Sequence, residues 1–376
     1  MFADAEKLYT PASYPRCVFK RRLRKPVAID LFSGCGGLSL GLKQAGFRVI
    51  AAVEIEHTVA DTYRVNHPEV VLWEKDIRRL SSFEVKERLG IKKGDIDLLA
   101  GCPPCQGFSA MRTLNGGQEI DDPQNDLLFQ FLRFVKDLEP KTLMMENVPG
   151  LRNDSRFRKL RKELERLGYR LRWDVIDASN YGVPQRRRRF IMIASRASKP
   201  SFAVPTPIRS TVRQTIGMLP DAGNSGDPLH DLPERRSPRI MEMISLIPHD
   251  GGSRRDLGVE WQLDCHLRCN GFKDVYGRMP WDDVSPTITG GCFNPSKGRF
   301  LHPEQDRNIT LREAALLQSF PPDYHFSLKR GKSNAAVMIG NALPPEFIRR
   351  HARELYRCLA NKATSQVNRK TDARTK

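Results

Sequence analysis

The stretch Val27-Ala28-Ile29-Asp30-Leu31-Phe32-Ser33-Gly34-Cys35-Gly36-Gly37 decides the fold of this 376-residue chain. Its first six residues are mostly apolar and favour a buried β-strand, which the glycine-rich segment ends. Apolar residues then recur at helical spacing between Leu38 and Ala45, and Gly46 ends the predicted helix. A strand, a glycine turn and a helix are the opening of a nucleotide-binding α/β unit.

The glycine turn departs from the dinucleotide-binding pattern G-x-G-x-x-G, because the third glycine would fall at Ser39. This argues against a pyrophosphate cradle. A second predicted strand, residues 48–53, is followed by Glu54, where a carboxylate suits hydrogen bonding to ribose hydroxyls. Asp76 follows a third predicted strand, residues 70–73, and could bond an adenine edge. The pattern favours an adenosine-containing cofactor without a pyrophosphate.

A second informative stretch is Leu98-Leu99-Ala100-Gly101-Cys102-Pro103-Pro104-Cys105-Gln106-Gly107-Phe108-Ser109. The apolar run up to Ala100 predicts a buried strand, and the two prolines beyond it hold the backbone extended. A thiol at the end of such a stiff segment is a candidate nucleophile, but its free pKa of about 8.5 requires activation by neighbours. Cys105 is therefore a candidate nucleophile. A buried structural cysteine and a Cys102–Cys105 redox or metal pair are the alternative interpretations.

A carboxylate occupies a similar position after another predicted strand. Residues 142–145 are apolar and lead into Glu146-Asn147-Val148-Pro149-Gly150. Residues 126–138 carry apolar side chains at helical spacing, so this helix should pack on the sheet. Because ligands bind at the carboxyl ends of parallel strands, we expect Cys105, Glu146 and the cofactor residues to share one edge of the sheet.

An arginine run precedes a further predicted strand. Gln185-Arg186-Arg187-Arg188-Arg189 leads directly into the apolar residues 190–194. Alternate residues of a strand face the same side. Arg187 and Arg189 should therefore point to one side of the strand, and Arg186 and Arg188 should point to the other. One pair can then face the candidate site while the other faces phosphate. A solvated or salt-bridged edge strand is the alternative.

The chain is strongly basic, with 62 Lys and Arg against 44 Asp and Glu, a net charge of +18 and a pI near 9.7. Such an excess favours a polyanionic partner, nucleic acid before a membrane surface, with a generally solvated basic surface as the alternative. No apolar run reaches the roughly 18 residues of a membrane span, and we expect no secretory signal. Eight scattered cysteines do not resemble a disulfide framework, which favours a reducing cytosol.

The length is consistent with two or three domains, and the composition changes along the chain accordingly. Residues 1–25 are interpreted as a basic N-terminal arm. From about residue 199, frequent proline and glycine with little periodicity indicate a smaller, loop-rich domain. A last helix is predicted over residues 346–360, and the polar residues 361–376 are predicted to be disordered.

The loop-rich region carries two further local signals. A helix is predicted over residues 311–319, because Thr310 and Glu313 have the spacing of a capping box. Four potential zinc ligands match no standard spacing, so we expect no metal site. These are Cys265, His266, Cys269 and Cys292.

Taken in order, these segments resemble the cytosine-5 DNA methyltransferase family. Any one block is weak, but six blocks in the family's order, covering nearly the whole chain, are very specific. Two features depart from the family pattern: Arg188 stands where many members have Glu, and the residues beyond 360 match nothing in it. The blocks are residues 30–37 (DLFSGCGG), 103–106 (PPCQ), 146–148 (ENV), 185–189 (QRRRR), 312–321 (REAALLQSFP) and 340–341 (GN).

The resemblance implies an α/β fold of two lobes with double-stranded DNA between them. The large lobe, residues 26–199 completed by residues 326–360, would be a Rossmann-like, S-adenosylmethionine-dependent methyltransferase domain. The smaller, loop-rich lobe, residues 200–325, would recognise the target sequence. The implied cofactor is S-adenosylmethionine, and the change of composition near residue 199 agrees with this division.

The resemblance also implies catalytic roles. Cys105 would add to carbon 6 of cytosine and make carbon 5 nucleophilic, while Glu146, with a pKa raised by burial, would bond ring nitrogen 3. Arg187 would stabilise the carbonyl oxygen of the base, and Arg189 would position the loop that carries Cys105. Asn147 would hold the Glu146 loop in place.

Further residues are implied as ligand contacts. Because the target carbon is stacked inside the duplex, the cytosine must swing out, and Gln106 and Ser109 would line the gap. The stretch from residues 276–281 through residues 298–303 resembles the recognition region of CpG-type enzymes, which implies Arg278 as a DNA contact and a CG-containing target. The implied cofactor contacts are Phe32, Gly34, Gly36, Glu54, Asp76, Ile77 and Asn341.

Other functions stay open on the sequence alone. An RNA cytosine-5 methyltransferase uses the same scaffold and would be recognised by methyl transfer to transfer RNA. A catalytically inactive DNA-binding relative usually lacks the Cys105 or Glu146 equivalent, and both are present here. A Rossmann dehydrogenase is disfavoured by Ser39. The compact architecture favours a monomeric bacterial enzyme, cytoplasmic and bound to nucleoid DNA, which protects DNA from a cognate restriction endonuclease acting on the same site.

Replacing the nucleophile should separate binding from chemistry. Cys105→Ser removes the thiolate, so we expect methyl transfer to duplex DNA to be abolished while the Kd for S-adenosylmethionine stays unchanged. Turnover is measured with labelled donor and binding by equilibrium dialysis. DNA containing 5-fluorocytosine should trap the wild-type protein covalently and leave the variant free. Near-normal methylation by the variant would contradict the assignment.

Overall fold

One sheet organises the molecule. The computed structural model describes residues 25–104, 127–262 and 274–372, with side chains up to residue 360. In these ranges seven strands pair in the order β3-β2-β1-β4-β5-β7-β6, and each strand predicted from the sequence is confirmed. The first five strands along the chain are parallel, and β7 runs antiparallel to both β5 and β6. The strands are β1 (Val27–Leu31), β2 (Arg48–Glu54), β3 (Val71–Glu74), β4 (Leu98–Gly101), β5 (Thr142–Asn147), β6 (Arg170–Asp177) and β7 (Arg188–Ser195).

Helices alternate with the strands through β5 and β6 and continue beyond β7. This alternation with parallel strands is the arrangement of an α/β fold, as predicted. The helices are α1 (Gly37–Gln44), α2 (His57–Asn66), α3 (Ser82–Leu89), α4 (Leu127–Leu138), α5 (Ser155–Arg166), α6 (Val212–Ile216), α7 (Pro238–Leu246), α8 (Leu311–Leu317), α9 (Gly331–Asn341) and α10 (Pro345–Asp372).

Two apolar layers cover the two faces of the sheet. Ile29 and Leu31 of β1 belong to a core that includes Phe131 of α4, whereas Ala28 belongs to a second core that includes Phe347 of α10. This is the alternation expected of a strand that is buried on both faces. The prediction that residues 126–138 pack on the sheet is confirmed, since α4 is buried along its apolar side.

A third apolar core lies in the C-terminal half of the chain. It joins Trp281 and Leu317 with Ile339 of α9 and also includes Cys35 of the glycine turn. The described residues between β7 and α8 contain short helices and no strand of the main sheet, as the loop-rich composition predicted. Division into domains at residues 199 and 325 stays a prediction, because this core contains residues on both sides of 325.

The C-terminal helices differ in part from expectation. The capping box is confirmed: Thr310 accepts from the Glu313 amide, and Glu313 accepts from the Thr310 amide. Helix α9 was not predicted, because its small apolar residues face several directions and give no strong periodicity. Helix α10 continues to Asp372, so the prediction of disorder from residue 361 is wrong for residues 361–372.

Helices α1 and α10 are in close contact at Gly41. A Cβ atom added there would lie 2.5 Å from the carbonyl oxygen of Pro345 and 2.6 Å from Cβ of Ile348. Gly41→Ala should therefore lower the free energy of unfolding by about 1–3 kcal/mol, measured by urea denaturation. Gln44→Ala, at an exposed position of the same helix, is the control and should change it by less than about 0.5 kcal/mol. Equal free energies of unfolding for the two variants would contradict the prediction, because they would show that an added methyl group at Gly41 does not disturb the contact between the helices.

Candidate active site

The carboxyl ends of the parallel strands meet at one edge of the sheet. β1 lies between β2 and β4. From β1 the chain continues through β2 to β3 on one side of the sheet, and from β4 it continues to β5 on the other side. A crevice at such a reversal of strand order is the usual ligand site of an open α/β sheet. The residues that follow β1, β4 and β5 are Phe32, Cys102 and Val148, while Glu54 and Glu146 lie at or near the ends of their strands.

The turn after β1 is held by Glu54. The carboxylate of Glu54 accepts from the amide of Gly34 at 2.8 Å and from those of Ile55 and Glu56 at 2.9 and 2.8 Å. Burial raises the pKa of Glu54, although these three amides lower it. A Cβ atom built on Gly34 would meet nothing within 4 Å, so this turn faces open space beside the carboxylate. Phe32 has a φ of 62°, which a non-glycine residue seldom adopts.

The other predicted cofactor residues are dispersed around the same edge. Asp76 follows β3, caps the short helix Ile77–Arg79 and pairs with Arg78 at 2.6 Å. The side chain of Ile77 is buried in the core, so only its backbone is left for a ligand. Asn341 is exposed at the end of α9. Sequence reasoning missed Ile55, which directly follows Glu54 and is 58% exposed; an apolar residue beside an acidic strand end was the available signal.

Glu146 is the buried acid of the site. Its side chain is almost inaccessible, and its Oε1 lies 3.0 Å from Nε of Arg189. Burial raises the pKa of Glu146, against the lowering effects of Arg189, Arg187 and a hydrogen bond from Cys102. The prediction that burial raises this pKa is therefore confirmed. A carboxyl in this environment holds its proton more strongly than one in water.

Asn147 joins β5 to the segment that follows β4. Its Nδ2 donates to the carbonyl oxygen of Pro103 at 2.9 Å, and its Oδ1 accepts from the amide of Val148 at 2.8 Å. The Glu146 loop and the segment before Cys105 are thereby fixed to each other. Cys105 itself, like Gln106 and Ser109, lies outside the described residues.

The two arginines have different partners. Arg189, rather than Arg187, lies beside Glu146. Arg187 is almost fully buried and donates to the carbonyl oxygens of Ile288, Gly340 and Ala342 at 2.9 to 3.0 Å. Its terminal nitrogens are therefore used to join three chain segments. The expectation that Arg187 faces the base is therefore wrong for these nitrogens, whereas the expectation that Arg189 positions the loop that carries Cys105 stays a prediction.

Arg278 is not a surface residue. It is fully buried, and its guanidinium donates to the carbonyl oxygens of Ile244, Ile247, His302 and Gln305 and pairs with Asp306. A guanidinium enclosed in this way has no free face for a nucleic acid. The prediction that Arg278 contacts DNA is therefore wrong, because a single sequence does not reveal these distant carbonyl partners.

Asp30 is a second buried acid, which sequence reasoning did not single out as functional. Its Oδ2 accepts from Oγ of Ser39 at 2.6 Å, while its Oδ1 is buried without a partner. Burial raises the pKa of Asp30 to about 7, with a smaller contribution from Glu54. The signal was a carboxylate inside an otherwise apolar strand.

The described residues contain no group of three or more His, Cys, Asp or Glu side chains that could hold a metal ion. Cys265, His266 and Cys269 lie outside these residues, and Cys292 is buried. In the same part of the chain, none of the helices has the length and apolar character needed to cross a membrane.

Asp30 should make the stability depend on pH. In the folded protein its pKa is about 7 against the usual 3.8, so between these values the folded state holds a proton that the unfolded state has lost. Stability therefore falls as the pH rises through this range. Asp30→Asn removes the titration but keeps an acceptor for Ser39. Relative to wild type, its free energy of unfolding should rise from about pH 4 to pH 7 in urea denaturation. Parallel pH profiles would contradict the assignment.

Comparison with known proteins agrees with this geometry. A family model for C-5 cytosine-specific DNA methylase matches residues 27–357. The chain is 35% identical to Type II methylase M.HgiDII of Herpetosiphon aurantiacus, over 88% of this chain and 95% of that protein. It is 36% identical to Type II methyltransferase M1.HphI of Haemophilus parahaemolyticus, over 84% of this chain and 83% of that protein. An E. coli prophage protein assigned as a DNA modification methyltransferase has the same fold, with a TM-score of 0.69 and 26% identity over 89% of this chain and 99% of that one. The chain belongs to the C-5 cytosine-specific DNA methylase family.

Proposed function

We propose that this enzyme transfers a methyl group from S-adenosylmethionine to carbon 5 of a cytosine that has swung out of duplex DNA. The observation that carries the proposal is the buried Glu146, whose pKa is raised by burial and which lies beside Arg189. Through Asn147 this acid is joined to Pro103, two residues before the candidate nucleophile Cys105. Counted from β5, the glycine turn after β1 lies two strands away and Glu54 of β2 three strands away, at the same edge of the sheet.

The residues around the turn fit S-adenosylmethionine. The Glu54 carboxylate accepts from three amides, which leaves one of its roughly four lone pairs for a ribose hydroxyl. The open space at Gly34 and the exposed side chain of Ile55 supply a surface for the flat adenine and the methionine part. The cofactor supplies an electrophilic methyl group on a sulfonium. Phe32, Gly36, Asp76, the backbone of Ile77 and Asn341 complete the proposed contacts.

The side chains then act on the base. The Cys105 thiolate adds to carbon 6, which breaks the ring conjugation and makes carbon 5 nucleophilic. Glu146, whose pKa is raised by burial, donates a proton to ring nitrogen 3, and Arg189 stabilises the carbonyl oxygen of the base. Once carbon 5 carries the methyl group, water removes the carbon 5 proton and the bond from carbon 6 to sulfur breaks. The thiolate is thereby restored, and ring nitrogen 3 returns its proton to Glu146.

Duplex DNA fits the charge and organisation of the chain. A net charge of +18 favours phosphate contacts, which make binding dependent on salt. In this proposal residues 200–325 select the target, and residues 26–199 with 326–360 carry the chemistry. Gln106 and Ser109 fill the gap that the extruded cytosine leaves, at a cost to the duplex of a few kcal/mol.

The named relatives suggest a cellular role. M.HgiDII and M1.HphI are Type II methylases. We infer that this enzyme likewise acts as a monomer on DNA in the bacterial cytoplasm, where it protects a CG-containing site from a cognate endonuclease. An RNA substrate is the second candidate, since the scaffold also serves RNA cytosine-5 methylation.

Methyl transfer to two substrates tests the proposal. The full-length protein is incubated with labelled S-adenosylmethionine and either duplex DNA or transfer RNA. We expect label in DNA alone, and bisulfite sequencing of DNA modified in a host without other methyltransferases should locate it at carbon 5 of cytosines in one short sequence. Label confined to transfer RNA would overturn the choice of substrate.

Glu146→Gln tests the role of the buried acid. The amide keeps the shape of the side chain but has no acidic proton, so kcat should fall by about 100-fold or more, while the Kd for S-adenosylmethionine stays unchanged. Glu163→Gln, at a carboxylate on the distant α5, is the control and should retain kcat. An active Glu146→Gln enzyme would remove Glu146 from the chemistry.

A further inference from the structure

Two buried side chains enclose the glycine turn after β1. Tyr324 donates its hydroxyl proton to the carbonyl oxygen of Cys35 at 2.6 Å. Nε2 of His67 lies 3.0 Å from this hydroxyl and 3.2 Å from the carbonyl oxygen of Gly36. Both side chains pack against the backbone of the turn, because a Cβ atom added to Gly36 would lie 2.3 Å from His67 and 2.6 Å from the Tyr324 hydroxyl.

The hydrogen-bond partners of His67 are consistent with one neutral tautomer. Since the single Tyr324 proton goes to Cys35, the contact with His67 requires a proton on Nε2. Nδ1 is then an acceptor and faces Nζ of Lys43, which also pairs with Glu69. Burial and the charge of Lys43 lower the pKa of His67 to about 4, in agreement with this neutral form.

A second layer supports His67 from behind. The ring of Tyr63 lies 4.6 Å from the His67 ring, and its hydroxyl is 2.6 Å from Oγ of Ser39. Because Ser39 gives its own proton to Asp30, Tyr63 must be the donor to Ser39. Ser39, which breaks the dinucleotide-binding pattern, therefore has a different use: it is a hydrogen-bond link behind the turn.

The backbone of the turn needs this support. Phe32 and Gly36 have φ angles of 62° and 98°. A left-handed backbone at a non-glycine residue persists only where the surroundings fix it. Hydrogen bonds to two successive carbonyl oxygens, those of Cys35 and Gly36, provide such a restraint. The same turn is also bound at the Gly34 amide, which donates to Glu54.

We propose that His67 and Tyr324 are positioning residues that hold the turn in the conformation that binds S-adenosylmethionine. The proposal rests on the proposed function for its cofactor. Neither residue need contact the cofactor. Tyr324 comes from the segment after α8, so a residue at the end of the proposed recognition region, residues 200–325, would shape the cofactor site. Arg312 extends this link, since it donates to the carbonyl oxygen of Tyr324 and pairs with Asp227.

Tyr324→Phe tests the proposal, because it removes one hydroxyl and keeps the ring. Tyr169→Phe is a matched control: Tyr169 is equally buried, and its hydroxyl donates to the backbone carbonyl of Pro140, away from the turn. For each full-length protein we measure Tm, the Kd for S-adenosylmethionine by equilibrium dialysis, kcat at saturating cofactor and the KM for DNA.

We expect the Tm of the two variants to fall by similar amounts. Only Tyr324→Phe should raise the Kd for the cofactor, by about fivefold, the effect of one hydrogen bond. Its kcat at saturating cofactor and its KM for DNA should stay within about twofold of wild type. An unchanged Kd in Tyr324→Phe, with normal binding by wild type, overturns this proposal alone. Failure of the wild-type protein to bind S-adenosylmethionine would instead overturn the cofactor assignment.

His67 provides a second, independent check. Gln at this position can donate through its amide nitrogen to Tyr324 and accept from Lys43 through its oxygen, whereas Leu can do neither. His67→Gln should therefore bind the cofactor more tightly than His67→Leu at comparable Tm. Equal Kd values for the two variants would mean that His67 only fills space.

Discussion

The parallel pairing of β1 with β2 and β4 is the constraint on which the site depends. Leu31, the last residue of β1, is opposite Val53 of β2 and Gly101 of β4, and Gly101 is in turn opposite Met145 of β5. The next residues of all four strands are therefore brought to one edge together. A shift of register by a single residue would send these side chains to opposite faces of the sheet. The grouping of the candidate catalytic and cofactor-binding residues is therefore a consequence of strand alignment.

Glu146 illustrates how opposing electrostatic effects are balanced. Arg189 at 3.0 Å favours the charged carboxylate, but loss of hydration on burial disfavours it more strongly, and the pKa rises. Full ionisation would leave no proton for ring nitrogen 3, and an isolated buried acid would have no cation near the base. The pair supplies both, because the arginine remains charged whichever form the acid takes. Arg187 is not the cation beside the acid; it donates instead to the carbonyl oxygens of Ile288, Gly340 and Ala342.

Local pattern predicted the strands, the Thr310 capping box and the position of Glu146, since apolar runs, caps and strand ends are encoded by neighbouring residues. It could not distinguish Arg187 from Arg189, because strand alternation turns both the same way and only distant partners separate them. The burial of Arg278 depends on carbonyl groups from four separate positions. The residues behind the glycine turn were missed for the same reason: His67 and Tyr324 are far apart in the chain.

The contact between α1 and α10 bears on how the protein is made. Leu38 and Leu42 of α1 share a core with Phe347 and Ile348 of α10, which the ribosome delivers last of the helices described. During synthesis the early half of the sheet therefore emerges with one apolar face uncovered. Such a surface attracts chaperones or other nascent chains until its partner arrives. Folding of this layer is thus tied to the synthesis of α10.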